Sequence, residues 1–303
     1  MQAPTPPFKK LLVAILFNVG IFAIFRFMPR LRAVTLHAIV VNYWVCVVTG
    51  SLFSLDNPSW GQMSISAPWV PWAVVLAFIF ITTFLLMANT TQRVSMTVAS
   101  VASKMSLAIP VLFSLLVLGV QAKAYDTWNY LGILLAFPAI VLSSWSKTKR
   151  EDSSAPQRWK YLALPVGLFL MSGVLDATLN YVNLNFISEE FSPVFTVILY
   201  GCAGTIGIGI LLVRKELPSR RSVLAGIILG VPNYFSIYIV LRALSYFNND
   251  GALLFPLLNL GIILGSALVG ALLFKEKQTR TKVIGLGLAL LAIFLLSYQE
   301  LLA

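Results

Sequence analysis

Charge is what this chain has least of: 11% of its 303 residues are Asp, Glu, Lys or Arg, against about a quarter in an ordinary soluble domain. A soluble fold of this length needs a charged skin over its core, so that class is excluded. With 58% hydrophobic residues and a mean hydropathy of +0.87, the chain reads as a bilayer protein. Histidine is rarer still. The single His37 rules out a histidine-based metal cluster and leaves a Ser-His-Asp triad only one base. Cys46 and Cys202 lie in apolar runs 156 positions apart, which gives neither a zinc spacing nor a disulfide framework. No HExxH, GxSxG or P-loop pattern occurs, and no carboxylates pair within an apolar run. The expectation is no catalytic residue, no metal, no cofactor and no direct ATP drive; the chain does not read as an enzyme. The first apolar run, Leu11 to Phe27, has no small-residue cleavage site behind it, so it reads as a span and not as a signal peptide.

Apolar runs of span length are what fill the chain. Bounded by Pro, Gly, Asn and charges, ten fall at 11–28, 34–55, 69–89, 95–119, 129–146, 160–186, 193–213, 222–246, 251–274 and 282–298. Each is near the roughly 20 residues that cross a hydrocarbon core. The period-2 alternation of a β-barrel is missing, so the fold class is all-α: a polytopic protein of ten transmembrane helices. Trp69, Trp72, Trp128, Trp145 and Trp159 stand at run ends, where interfacial anchors belong. The net charge of +11 forms no continuous stripe, which excludes nucleic acid as a partner. Instead 17 Lys and Arg, from Arg26 to Lys282, flank the odd-numbered connections, against Lys9, Lys10 and Lys123 on the other side. That bias places the odd connections in the cytoplasm and both termini outside, in a cytoplasmic (inner) membrane.

The longest polar stretch, around Ser146 to Lys160, divides the runs five and five. The units are therefore a first repeat (1–146), a cytoplasmic linker (147–160) and a second repeat (161–303). A shift of 155 residues lays Leu118 on Leu273, Leu131 on Leu286, Gly132 on Gly287 and Leu135 on Leu290. An odd number of crossings per half makes the repeat inverted, an architecture suited to alternating access.

The stretch FPLLNLGIILGSALVGALLFKEK and the following KVIGLGLALLAIFLL, spanning Phe255 to Leu296, carry an early Pro, Glu276 at the helix end and a Gly-containing last helix. In these features the chain resembles the drug/metabolite transporter superfamily in its ten-helix EamA-like branch. SKMSLAIPVLFSLLVLGVQ matches in outline in the first half, with Gln121 aligned on Glu276. The resemblance implies export or exchange of a small metabolite across the cytoplasmic membrane. A flippase for a lipid-linked intermediate is the alternative on the same bundle. The partners it implies are a small-molecule substrate and membrane lipid, with the chain a monomer or a homodimer.

Three ionisable residues lie well inside runs: Lys104, Asp176 and Arg242. Charge at that depth is costly unless it faces a partner or a watery cavity, so it marks a pathway. Lys104 is eleven residues past Arg93, roughly 16 Å into a core about 30 Å thick, and the 155-residue shift pairs it with Asn259. Asp176, Asn180 and Asn183 share one helix face at i, i+4 and i+7. As the sole deep carboxylate, Asp176 is the group for proton coupling or a counter-ion for Lys104 or Arg242. Tyr234, Tyr238 and Arg242 form a second such face, suited to a planar or carboxylate-bearing ligand. The expected substrate site is thus Lys104, Asp176, Asn180, Asn259, Tyr234, Tyr238 and Arg242, with a net formal charge of +1 favouring an anion or zwitterion. Asn18, Asn42, Asn89 and Asn233 are expected to bond between helices, and the Gly201–Gly204–Gly207 and Gly261–Gly265 stripes to allow close packing. His37 is expected at the interface, and Glu276 at a helix end outside the site.

Overall fold

The computed structural model describes residues 7–64, 66–113, 126–144, 155–188, 190–246 and 251–302, and within these it is helical without a strand. The helices are α1 (Pro7–Phe27), α2 (Thr35–Phe53), α3 (Val70–Arg93), α4 (Met96–Met105), α5 (Ala108–Phe113), α6 (Thr127–Ser144), α7 (Ala155–Phe186), α8 (Ser192–Arg214), α9 (Arg220–Tyr246), α10 (Gly251–Leu272), α11 (Arg280–Leu296) and α12 (Tyr298–Leu302). A short 3-10 helix, Pro58–Gln62, joins α2 to α3. Eight helices, α1 to α3 and α6 to α10, are long and apolar enough to cross a membrane. The fourth expected span is instead broken into α4 and α5, and its residues 114–119 lie outside the described residues, as does Trp145. The last expected span, α11, is 17 residues long. Of the expected linker, 147–154 lies outside the described residues and 155–160 is already the first part of α7.

Large apolar side chains such as Leu12, Leu16, Val48, Leu134, Leu212 and Leu268 point outward from these helices. An apolar belt around a helical bundle is the surface a bilayer requires, since every backbone polar group is satisfied inside its own helix. The interior holds two packed regions. One, built by α2, α3, α8 and α9, is aromatic, with Tyr43, Phe84, Phe195 and Tyr200 buried together. The other, built by α1, α4, α6, α10 and α11, is lined by small residues such as Ala99, Ala136, Ala139, Ala289 and Ala292.

Packing partners follow a pattern. α3 lies on α7 as α1 lies on α9, α4 and α5 lie on α7 as α10 lies on α1, and α3 on α8 answers α2 on α9; the pairs α2 with α8, α4 with α10 and α6 with α11 each join one half to the other. The buried faces recur as well. Asn129, Gly132, Ala136, Ala139, Ile140 and Ser143 of α6 are matched by Lys282, Gly285, Ala289, Ala292, Ile293 and Leu296 of α11, each 153 positions on (285 − 132). Val40, Asn42, Tyr43, Cys46 and Gly50 of α2 are matched by Val197, Leu199, Tyr200, Ala203 and Gly207 of α8, each 157 positions on (207 − 50). The single shift of 155 is thereby corrected. Connections of unequal length separate the helices, so no one offset serves them all, and Gly285, not Gly287, stands in the place of Gly132. Both glycines are obligatory for close approach: a Cβ on Gly132 meets the Ala292 carbonyl at 2.7 Å, and one on Gly285 meets the backbone of Ser143.

Hydrogen bonds tie the basic connections into one end of the bundle. Arg26 donates to the carbonyls of Thr91 and Gln92 at 2.8 Å each, capping α3, and Gln92 Nε2 donates to the Phe25 carbonyl at 3.1 Å. The Val34 N–H donates to Ser222 Oγ at 3.0 Å. At the opposite end Asn57 Nδ2 donates to the Glu190 carbonyl at 3.1 Å, and Asn129 Nδ2 donates to the carbonyls of Leu295 and Leu296 at 3.1 and 3.0 Å. In the turns that follow α1, α8 and α10, three bases hold left-handed backbone: Arg32 (φ 54°), Lys215 (φ 54°) and Lys275 (φ 51°).

Candidate functional site

The break between α4 and α5 has a local cause. Pro110 has no N–H to give the carbonyl of Ser106 four residues back, and its ring crowds that carbonyl. The Ser106 carbonyl takes the Ile109 N–H instead, at 2.9 Å, and the helix stops and restarts across Ser106 and Leu107. α4 is enclosed: nine of its ten residues are buried, and Lys104 is the exception. Lys104 is therefore the one residue of α4 that keeps some accessible surface. It stands eight residues beyond Met96, about 12 Å along the helix.

Asp176 faces the same break from α7. Ser106 Oγ donates to its Oδ2 at 3.3 Å and to the Ser103 carbonyl at 2.6 Å. Lys104 and Asp176 are within electrostatic reach of each other without a direct ion pair, and the carboxylate is accessible although it lies mid-helix. Asn180 and Asn183, on the same face, are accessible too, so the polar stripe expected on α7 is present and opens toward the helix end at Phe186. Gly173 leaves the room that Ile109 of α5 fills. Charge and an interrupted helix thus coincide at Lys104, Ser106 and Asp176. Charges without a direct ion pair beside such an interruption can offer a cation and an anion to one ligand.

The remaining expected residues are placed apart from this trio or beyond description. Asn259 is buried on α10, which packs against α4. Tyr234 is buried in the aromatic region, its ring 6.0 Å from Tyr238 in a stack and 5.5 Å from Phe235, with Phe53 of α2 against all three. The Arg242 side chain lies outside the described residues. Next to Tyr234, Asn233 Nδ2 donates to Asn42 Oδ1 at 3.2 Å and to Cys46 Sγ at 3.5 Å, the interhelical bond expected of that pair. Asn18 and Asn89 differ: each donates to its own helix, to Ala14 and Leu85.

Two polar clusters at the basic end have no sequence signal of their own. Glu276 is 3% exposed at its side chain and accepts from Met96 N at 2.6 Å, Thr97 Oγ1 at 3.0 Å and Lys282 Nζ at 3.0 Å, with Arg26 Nε at 3.8 Å. Burial pushes its carboxyl up, but the Lys282 charge, the Met96 N–H and Arg26 together hold it below its ordinary value. The helix-end residue is therefore a hub joining α1, α4 and α11. His37, expected at the interface, is buried, with Nε2 2.8 Å from Glu216 Oε2. Trp69 is likewise buried against Phe191 and Phe195 and does not reach out as an anchor. What sequence reading missed at the site itself is Ser106, and its signal is present: it stands four residues before Pro110.

The comparisons with known proteins speak to fold. No family model matches the chain. A Haemophilus influenzae protein described as uncharacterized is 24% identical over 295 residues, covering 96% of this chain and 98% of its own. A crystal structure at 12% identity has a similar fold, with a TM-score of 0.58 over 95% of this chain and 98% of that one.

Proposed function

We propose that the protein is a secondary carrier of the drug/metabolite transporter type, with ten spans arranged as two inverted five-helix repeats, moving a small anionic or zwitterionic metabolite across the cytoplasmic membrane by alternating access. The observation that carries this reading is the interrupted helix that sets Lys104 and Ser106 beside Asp176, midway along α7. Backbone interrupted at membrane depth is tolerated where it lines a cavity, and transporters place their substrates there. The exchange of packing partners between halves, with the matched buried faces of α6 and α11, supports the repeat. Asp176 is the group available for proton coupling.

A thermal-shift screen of anionic and zwitterionic metabolites on the purified protein tests the reading, because a ligand that binds the folded state raises its melting temperature. A binder is expected to stabilise the wild type and to leave the double variant Lys104→Ala with Asp176→Asn unmoved. A binder that stabilises both equally puts the site elsewhere. Sidedness is tested separately with Ser153→Cys: the cytoplasmic linker implies no reaction with an impermeant thiol reagent in intact cells, and labelling there inverts the topology.

A further inference from the structure

Away from the Lys104 site, α2 lies between α8 and α9, drawn in where Gly207 sits under Val40 and Gly230 under Val45. Above that contact the three helices leave a trough of about 520 Å³. Its floor is the α2 face from Val40 to Thr49, its walls are Ile208 and Leu212 of α8 and Ile227 of α9, and its end is the connection Glu216–Leu217–Pro218. Trp44, Val48, Leu212 and Leu217 are exposed along it. The trough is almost wholly hydrocarbon.

We propose that this trough is a binding site for one acyl chain of an anionic glycerophospholipid, whose phosphate sits among Arg214, Lys215, Arg220 and Arg221. Three observations select this occupant. The first is length: Val40 to Thr49 rises about 14 Å, close to the roughly 15 Å of one leaflet's hydrocarbon. The second is width. A volume of 520 Å³ over that length gives a mean cross-section of roughly 37 Å², less than half that of a helix about 10 Å or more across. An extended hydrocarbon chain lies within that section whole, whereas a partner helix or a second copy could insert only side chains. The third is charge. The segment 214–221 carries four bases and one acid, and that acid, Glu216, is already engaged by His37 at 2.8 Å. Juxtamembrane bases of this density select anionic headgroups. Nothing in the proposal depends on what the carrier transports.

Trp44 reports occupancy directly. The full-length protein is reconstituted in phosphatidylcholine vesicles that contain a minority of brominated phosphatidylglycerol or, in parallel, the same amount of brominated phosphatidylcholine. The Trp44 emission is taken as the difference between wild type and Trp44→Phe, since six other tryptophans emit. Brominated phosphatidylglycerol is expected to quench that component well beyond brominated phosphatidylcholine. Arg220→Gln with Arg221→Gln is expected to reduce the preference about fivefold per charge removed, and Val48→Phe, which narrows the trough at an exposed position, to reduce quenching by both lipids. Equal quenching by the two lipids, or a preference that survives the double arginine change, overturns the proposal. Quenching by neither means that protein covers the trough, which overturns it too. Unchanged circular dichroism of the variants separates these outcomes from misfolding.

Discussion

The pair α6–α11 and the group α4–α5–α7 are both buried contacts between the two halves, yet they are built by opposite means. In α6–α11 glycine and alanine bring backbone against backbone, and the buried positions repeat at a constant spacing without a gap. In α4–α5–α7 a proline interrupts the ladder and the contact is made through Ser106, Lys104 and Asp176. Small-residue contacts lock two helices in one register. A polar break leaves charges without a direct ion pair, open to a third party. The first contact is a fixed frame, and the second is where a ligand has something to bind.

The largest effect is expected where the polar contact is emptied. Lys104→Ala with Asp176→Asn removes both charges at once, so folding is preserved while affinity for an identified ligand drops about 100-fold, the scale of lost charged partners at a desolvated site. Calorimetric titration beside a melting curve separates the two quantities. Next comes the frame: Gly285→Val drives a side chain into the backbone of Ser143 and is expected to cost about 3 kcal/mol, read as a lower melting temperature, whereas the same change at Gly287, which has open space, is near neutral. Should the two behave alike, the 153-residue register of α6 on α11 is wrong.

Glu276→Gln stands between frame and site. It keeps an acceptor for Met96 but drops the charge that Lys282 and Arg26 face, so about 2 kcal/mol of stability is lost while transport per folded molecule is unchanged. The sign with pH follows. A carboxyl held below its ordinary value in the folded state stabilises the fold above that value, near 4.5, and the stabilisation disappears as pH falls through the lower folded-state value. Melting curves between pH 3 and 7, flat at the upper end and falling below about 4.5, are expected to lose part of that fall in the variant. The smallest effect is Pro110→Ala. Restoring the missing N–H lets α4 run on into α5, which changes stability by less than about 1 kcal/mol but slows turnover several-fold, visible in initial uptake rates into vesicles.

Helix content and the deep ionisable residues were legible because hydropathy and charge are properties of single positions. Lys104 and Asp176 announced themselves by standing in apolar runs, and the structure brings them to one break. Properties of pairs were not legible in the same way. The register of α6 on α11 depends on which glycine meets which carbonyl, and a shift of two residues leaves an apolar sequence looking equally apolar. Tyr234 and Tyr238 share a helical face in the sequence, but whether a face lines water or packs on aromatic rings depends on Phe53 and Phe235, which no periodicity indicates. Glu276 does stand at a helix end away from that break, but its role as a hub was not legible, because Met96 and Arg26 reach it from distant segments and only Lys282 is near in sequence.

Arg32, Lys215 and Lys275 turn the chain through left-handed backbone, where glycine relaxes the conformation and a side chain adds about 1 kcal/mol of strain. All three stand at the basic end of the bundle, and in the topology proposed above bases there set how a nascent chain enters the bilayer. Each such turn trades a little folding stability for a vote on orientation. A triple glycine variant is therefore expected to melt higher once folded and to reach the folded state less often, because the sequence here answers first to the insertion machinery and only then to the native fold.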